Sequence, residues 1–198
     1  MLELKNVAVE IGQGRLSQPV TFVLRVGDVA CLLGGPASGK SRLLKAIMGL
    51  VPVKEGFITI DGELVDTGSA SYFRHQVAFV PQDIPAMEGT VKQFIHTLKG
   101  LKANHGLDFD KDALLKEWQL LGLSADKLSS PWNSLGDYEQ RLVLLSIPAM
   151  LKRPILLIDN PPQNEVVARY LRHLTSFGME IIYACRMNSM QCDKMINM

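Results

Sequence analysis

Apolar residues change their spacing several times along the chain, and each change predicts an element. Leu2, Leu4, Val7, Val9 and Ile11 nearly alternate with polar positions, which predicts a strand with one irregularity. Val20, Phe22, Leu24 and Val26 alternate with Thr21, Val23 and Arg25 and predict a second strand. Gly27 and Asp28 turn the chain into a continuous apolar run, residues 29–33, of the kind a buried strand carries. Residues 41–48 follow with helical spacing; Gly49 is the stop signal and Pro52 lies just beyond. Residues 57–60, the Asp61-Gly62 pair and residues 63–65 form a strong hairpin signal, and residues 77–80 a short strand ended by Pro81 and Gln82. From 87 to 135 the pattern turns helical. Val91, Phe94, Ile95 and Leu98 share one helix face; Leu114, Leu115, Trp118 and Leu121 share another, closed by Gly122. Between them, residues 104–108 read as a flexible loop. Strand character returns at 155–159 and 180–184, with a helix over 164–176 between them. An early antiparallel portion, strands alternating with helices and a helical insertion predict an α/β core with a helical lobe.

Composition narrows the classes. The 198 residues are 47% hydrophobic and 21% charged, ordinary for a globular protein. A chain of this length folds around one core that buries roughly 70% of its unfolded surface. The net charge of +1 provides neither the basic field a nucleic-acid partner requires nor an acidic tail. Cys31, Cys185 and Cys192 show no metal spacing and read as reduced thiols of a cytosolic protein. The first residues form no signal peptide, and no apolar run approaches the ~18 residues that span a bilayer, so a membrane role is expected through a partner. His75, His96, His105 and His173 share no spacing for metal or acid–base work, and Trp118 and Trp132 read as packing residues.

The chemistry concentrates in Gly34-Gly35-Pro36-Ala37-Ser38-Gly39-Lys40-Ser41, which has the spacing G-x-x-x-x-G-K-[ST] between a predicted strand and a predicted helix. A bound triphosphate needs several inward N–H groups, a cation near its β and γ groups and a hydroxyl on Mg²⁺. Gly34 and Gly39 permit the bends, Lys40 is the cation and Ser41 the metal ligand. These eight residues with Arg42 are the candidate nucleotide site.

Later segments follow in a telling order: Val80-Pro81-Gln82, the helical insertion, Ser134-Leu135-Gly136-Asp137-Tyr138-Glu139-Gln140-Arg141, then Ile155-Leu156-Leu157-Ile158-Asp159-Asn160-Pro161. With the phosphate loop, this order resembles the nucleotide-binding domain of ABC (ATP-binding cassette) transporters over nearly the whole chain. Residues 192–196 are similar to that family's closing A-D-R-I strand. The resemblance implies a P-loop NTPase (RecA-like) core with an N-terminal antiparallel β portion, formed by residues 1–86 and 136–198, and a helical subdomain over 87–135. It implies ATP and Mg²⁺ as ligands, with Ser41, Gln82 and Asp159 on the metal and Gln140 and Arg141 at the end of the signature. It further implies a head-to-tail dimer with a second nucleotide-binding domain, identical or homologous. Integral-membrane permease subunits would dock near residues 82–90, and the chain would lie peripherally on the inner, cytoplasmic face of the membrane.

Departures from the family fall on its catalytic parts. Asn160 stands where the family has a water-polarising glutamate, and an amide cannot accept a proton from water. Arg186 stands at the switch histidine. Leu135 falls where the signature has serine and Asp137 where it has its second glycine; a shifted register would instead place Ser134 there. A carboxylate ~4 Å from a partner's phosphate would cost ~4 kcal/mol per unit charge at a dielectric of about 20. Ile11 lies near the position of the family's adenine-stacking aromatic, residues 161–164 lack S-A-L-D, Ala37 replaces a frequent glycine, and Pro148 is expected to kink the helix after the signature. Asn160, Arg186 and Gln82 are therefore the candidate catalytic positions, and hydrolysis is expected to be slow. Two functions fit: an ATP-binding subunit of an ABC transport system with weak or partner-dependent hydrolysis, or a nucleotide-gated scaffold or regulator without turnover.

Overall fold

The computed structural model describes residues 1–84, 86–104, 107 and 110–198. Of the loop expected over 104–108, His105, Gly106 and Asp108 lie outside the described residues. The strands and helices run β1 (Leu2–Ala8), β2 (Glu10–Gly12), β3 (Arg15–Leu16), β4 (Val20–Leu24), β5 (Val29–Leu33), α1 (Lys40–Ile47), β6 (Glu55–Ile60), β7 (Glu63–Leu64), α2 (Ala70–Phe73) and β8 (Val77–Val80). They continue with α3 (Val91–Gly100), α4 (Lys111–Leu121), α5 (Asp137–Leu151), β9 (Ile155–Asp159), α6 (Glu165–Ser176), β10 (Glu180–Cys185) and β11 (Lys194–Asn197).

An antiparallel sheet, ordered β4-β1-β6-β7, packs beside a parallel sheet ordered β11-β5-β10-β9-β8, and β2 and β3 form a separate hairpin. The irregularity expected in the first strand is real. Its register shifts between Leu4 and Val7, where Asn6 takes φ 50° and exchanges hydrogen bonds with Thr21 Oγ1. The expected hairpin also forms, with Asp61 at φ 52° and Gly62 at φ 84°, the paired left-handed residues that match strand twist. One position departs from the alternation: β4 ends at Leu24, and Val26 is 69% exposed. Asp28 closes a turn there, its carboxylate accepting from Arg25 N–H (3.0 Å) and its own N–H donating to Arg25 O (2.9 Å), so Val26 has no strand partner.

Both faces of the parallel sheet are covered, as its continuous apolar strands require. Ala30, Leu32, Leu157 and Ile182 face α1 and the antiparallel sheet. Val29, Cys31, Leu156 and Tyr183 face the helices, where Trp118 and Trp132 are fully buried and Trp118 Nε1 donates to Ser146 Oγ (3.0 Å). Thr90 caps α3 with a capping box, and Gly122 ends α4 in the left-handed conformation. Pro148 does not end α5, which continues to Leu151. Cys31 and Cys185 are buried free thiols with their sulfurs 3.5 Å apart, and burial pushes both up from the ordinary thiol range.

The last strand is seated by charge. Asp193 accepts from Arg172 (2.8 Å) and from Val29 N–H (2.8 Å), and Lys194 pairs with Asp28. The Arg172 hydrogen bond holds Asp193 below the usual carboxylate range. A carboxyl depressed in the folded state stabilises above its unfolded pKa, and that stability is lost as pH falls through the folded value. Asp193→Ala is therefore expected to lower the thermal midpoint at pH 7 by about 2–4 °C, from about 1 kcal/mol of lost hydrogen bonding. The difference from the unmutated chain should shrink below about pH 4, as read by thermal melts across pH.

Candidate functional site

Register brings the predicted site residues to one edge of the parallel sheet. Leu33 pairs with Cys185, Ala184 with Asp159, and Ile158 with Val80. The phosphate loop, Arg186, Asn160 and Gln82 thus all leave the carboxyl ends of adjacent strands, where ligands of open α/β sheets bind. Gln82 follows β8, the direct neighbour of the strand that carries Asp159.

The phosphate loop is shaped by what it cannot hold. At Gly34 a Cβ would lie 2.4 Å from Met198 O, because Met198 N–H donates to Leu33 O beside it. Gly39 takes φ 103°, and a Cβ there would meet Ile11 Cγ2 at 2.9 Å and Ser17 Cβ at 3.1 Å. Ala37 occupies the left-handed region at φ 60°, which costs a Cβ-bearing residue about 1 kcal/mol and explains why glycine is frequent there. Helix α1 begins at Lys40 with no side-chain cap and no acid in its first turn. Its first N–H groups stay open, and the helix dipole adds positive potential: an anion site in the making. A cavity of about 150 Å³ lies over these groups, lined by Ile11 and residues 37–42.

Lys40 Nζ folds across the loop and donates to Gly34 O (2.8 Å), Gly35 O (2.7 Å) and Ser38 Oγ (3.1 Å). Burial lowers its pKa, the Asp159 carboxylate pulls it back up, and Arg186 lowers it further. Lys40, Asp159 and Arg186 therefore share one electrostatic neighbourhood. Asp159 is 7% exposed and accepts no hydrogen bond among the described residues. Its oxygens are not sealed from solvent, so the carboxylate is free to receive a hydrated cation, and Ser41 stands half-buried in the first turn of α1.

The sequence model of the ABC transporter family matches residues 17–163. The chain belongs to the ABC transporter family. It is 26% identical over 194 residues to the ribose import ATP-binding protein RbsA of Lacticaseibacillus paracasei, a match that covers 92% of this chain and 38% of that protein's length. Two solved structures share the fold. The dimeric cassette MJ0796 superposes with a TM-score of 0.77 at 20% identity, covering 94% of this chain and 88% of that one. The protein cbiO1 of Clostridium perfringens does so with a TM-score of 0.73 at 18% identity, covering 94% and 78%.

In this ABC chain residues 134–141 lead into α5, and of these eight only Leu135 is buried. Leu135 is 5% exposed and belongs to the core, so it presents nothing at the surface. Ser134, exposed beside it, donates its hydroxyl to Pro131 O (2.7 Å). Gln140 Nε2 donates to Trp132 O (2.9 Å), and Glu139 caps Gly136 N–H (3.2 Å) while pairing with Lys127 (2.9 Å). The Asp137 carboxylate, expected to face a partner's phosphate, stays exposed and accepts from Arg141 Nε (2.8 Å), which offsets part of its charge. Arg141 also donates to Gln82 O (2.9 Å). That bridge, and the bond from Asn164 Nδ2 to Tyr138 OH (3.0 Å), went unforeseen. The i,i+4 spacing of Asp137 and Arg141 signals their own pair, but no sequence spacing signals these two long-range bonds. Asn160 is exposed at φ 57° with its N–H donating to Ala184 O (2.9 Å), a left-handed position that asparagine tolerates and glutamate resists.

Gly39→Ala tests the cradle. Strain at φ 103° and the clash with Ile11 should weaken Mg·ATP binding about 10-fold or more, read by calorimetric titration beside a fold check by circular dichroism.

Proposed function

We propose that this chain is the ATP-binding subunit of an ABC transport system, in which ATP binding, with slow or partner-dependent hydrolysis, drives transport. The observation that carries the reading is the cradle: the uncapped first turn of α1, two glycines with no room for a Cβ, and Lys40 in the same electrostatic neighbourhood as Asp159. In this reading residues 1–86 and 136–198 act as the ATPase core and residues 87–135 as its helical subdomain.

The free N–H groups at the start of α1 bind the phosphates, and Lys40 exchanges its bonds to Gly34 and Gly35 for the β and γ groups. Ser41 and Asp159 would hold Mg²⁺, joined by Gln82 from the neighbouring strand. When bound, the metal offsets phosphate charge and orients the γ group. Asn160 orients water without taking its proton, and Arg186 supplies a cation near the γ-phosphate. Losing a general base typically removes ~10²–10⁴ of rate, so binding and turnover come apart here.

The partner in this reading is a second nucleotide-binding domain in head-to-tail arrangement, as the dimeric MJ0796 cassette supports. No helix among the described residues is long and apolar enough to cross a membrane. Separate integral-membrane subunits supply the pathway and dock near residues 82–90, on the cytoplasmic face, as the membership of cbiO1 in the cbiONQ complex supports. A second reading, a nucleotide-gated scaffold without turnover, is favoured by Asn160 alone, whose left-handed backbone disfavours the glutamate that hydrolysis would use.

Two experiments test this. Lys40→Ala should weaken Mg·ATP binding about 10-fold or more, the worth of its charge-assisted hydrogen bonds, in calorimetric titration. Asn160→Asp, which tolerates the left-handed backbone, and Asn160→Glu, which is strained there, should each raise ATPase activity over the parent, by up to ~10²-fold or more. No gain in either, with ATP still bound, would favour the scaffold.

A further inference from the structure

A second cavity, of about 340 Å³, lies between α3 and α4, and none of residues 34–42, Gln82, Asp159, Asn160 or Arg186 lines it. Its floor is apolar. Leu114, Leu128 and Met150 are buried there, and Ile95 and Leu115 are half-buried. Water against Ile95 and Leu115 is unfavourable, and an apolar ligand would displace it.

The solvent side of the cavity is cationic. Lys92, His96 and Lys99 follow one another at helical spacing on the face of α3 that carries Ile95, and Lys111 comes from α4. The three lysines are exposed and make no ion pair or hydrogen bond among the described residues. Asp110 also lines the cavity, but its carboxylate is occupied as the cap of α4, accepting from the N–H groups of Asp112 (3.1 Å) and Ala113 (3.2 Å). Lys92 and Lys111 stand in the first turns of their helices, beside the positive end of each macrodipole, where a lysine is unfavourable. Helix stability therefore accounts for neither. An anion in the cavity would relieve both and would meet Lys99 as well.

Size selects the occupant. One turn of a partner helix about 10 Å across fills roughly 400 Å³, more than the cavity offers. Small-molecule sites begin at about 300 Å³. We infer that this cavity binds a small amphipathic anion, its aliphatic body on Ile95, Leu115 and Leu128 and its carboxylate-like head among Lys92, Lys99 and Lys111. The inference stands apart from the nucleotide reading, since the two sites share no residue.

The test is calorimetric titration of the purified chain with three probes: submicellar decanoate, 1-decanol as the body alone and acetate as the head alone. Decanoate should bind about tenfold or more tighter than either, and equally well at saturating Mg·ATP. Replacing the exposed cations in a Lys92→Glu/Lys99→Glu/Lys111→Glu variant, with its fold checked by circular dichroism, should weaken decanoate about tenfold or more and leave 1-decanol unchanged. Absence of decanoate binding, equal binding of 1-decanol or acetate, or an unchanged decanoate affinity in the triple variant would each overturn the inference. Displacement by Mg·ATP would place decanoate at the phosphate loop and overturn it too. Sedimentation with phosphatidylglycerol vesicles, lost in the triple variant and without binding of free decanoate, would mean a membrane surface in place of a small ligand, and would also overturn it.

Discussion

The open amino end of α1 is the constraint the rest of the structure serves. A helix start normally recruits a serine, threonine or aspartate to satisfy its first N–H groups; here no side chain does so, and no acid lies in the first turn. The loop that leads into those donors is confined on two sides. Ile11 and Ser17 close over Gly39 from one side, and Met198 closes over Gly34 from the other. The second contact depends on β11 lying along β5, which the Asp193–Arg172 and Lys194–Asp28 pairs secure. Distant segments of sequence are thus spent on one short loop, and the parallel register carries Asp159 and Arg186 to its side.

In the proposed reading the same edge separates binding from turnover. On that reading the groups that would grip a triphosphate are backbone donors, Lys40 and Asp159, and these lie together at that end of the sheet. The groups that this reading would assign to hydrolysis are replaced or engaged within the chain. Asn160 has no basic oxygen that can take a proton from water, Leu135 is folded into the core, and Gln140 and Arg141 are engaged with Trp132 O and Gln82 O of their own chain. Arg141 ties the amino end of α5 to the backbone after β8, so the two segments move together or the bond breaks.

Most of the fold was legible in the sequence because strand alternation and turn chemistry are local. The bulge at Asn6, the Asp61-Gly62 hairpin, the α4 stop at Gly122 and the phosphate loop each carry their cause within a few residues. Val26 continued the alternation but lies past a turn that Asp28 closes, a competition between patterns that spacing cannot arbitrate. Helix α2 spans four residues, too few to show a period. At the site, residue types were readable and orientations were not. The burial of Leu135 and the reach of Arg141 to Gln82, 59 residues away, are decided by tertiary packing. The left-handed backbone at Ala37 and Asn160 leaves no mark in residues that ordinarily avoid or only tolerate it.

The most direct measurement is a crystal structure of the chain grown with Mg·ATP. The account expects the triphosphate, with its γ group intact, seated on the first turn of α1, Lys40 released from Gly34 and Gly35 onto the phosphates, and the metal between Ser41 and Asp159. A Lys40 that keeps its bonds to Gly34 and Gly35 with no triphosphate seated at saturating nucleotide, or a site that holds only ADP after brief incubation, would contradict it.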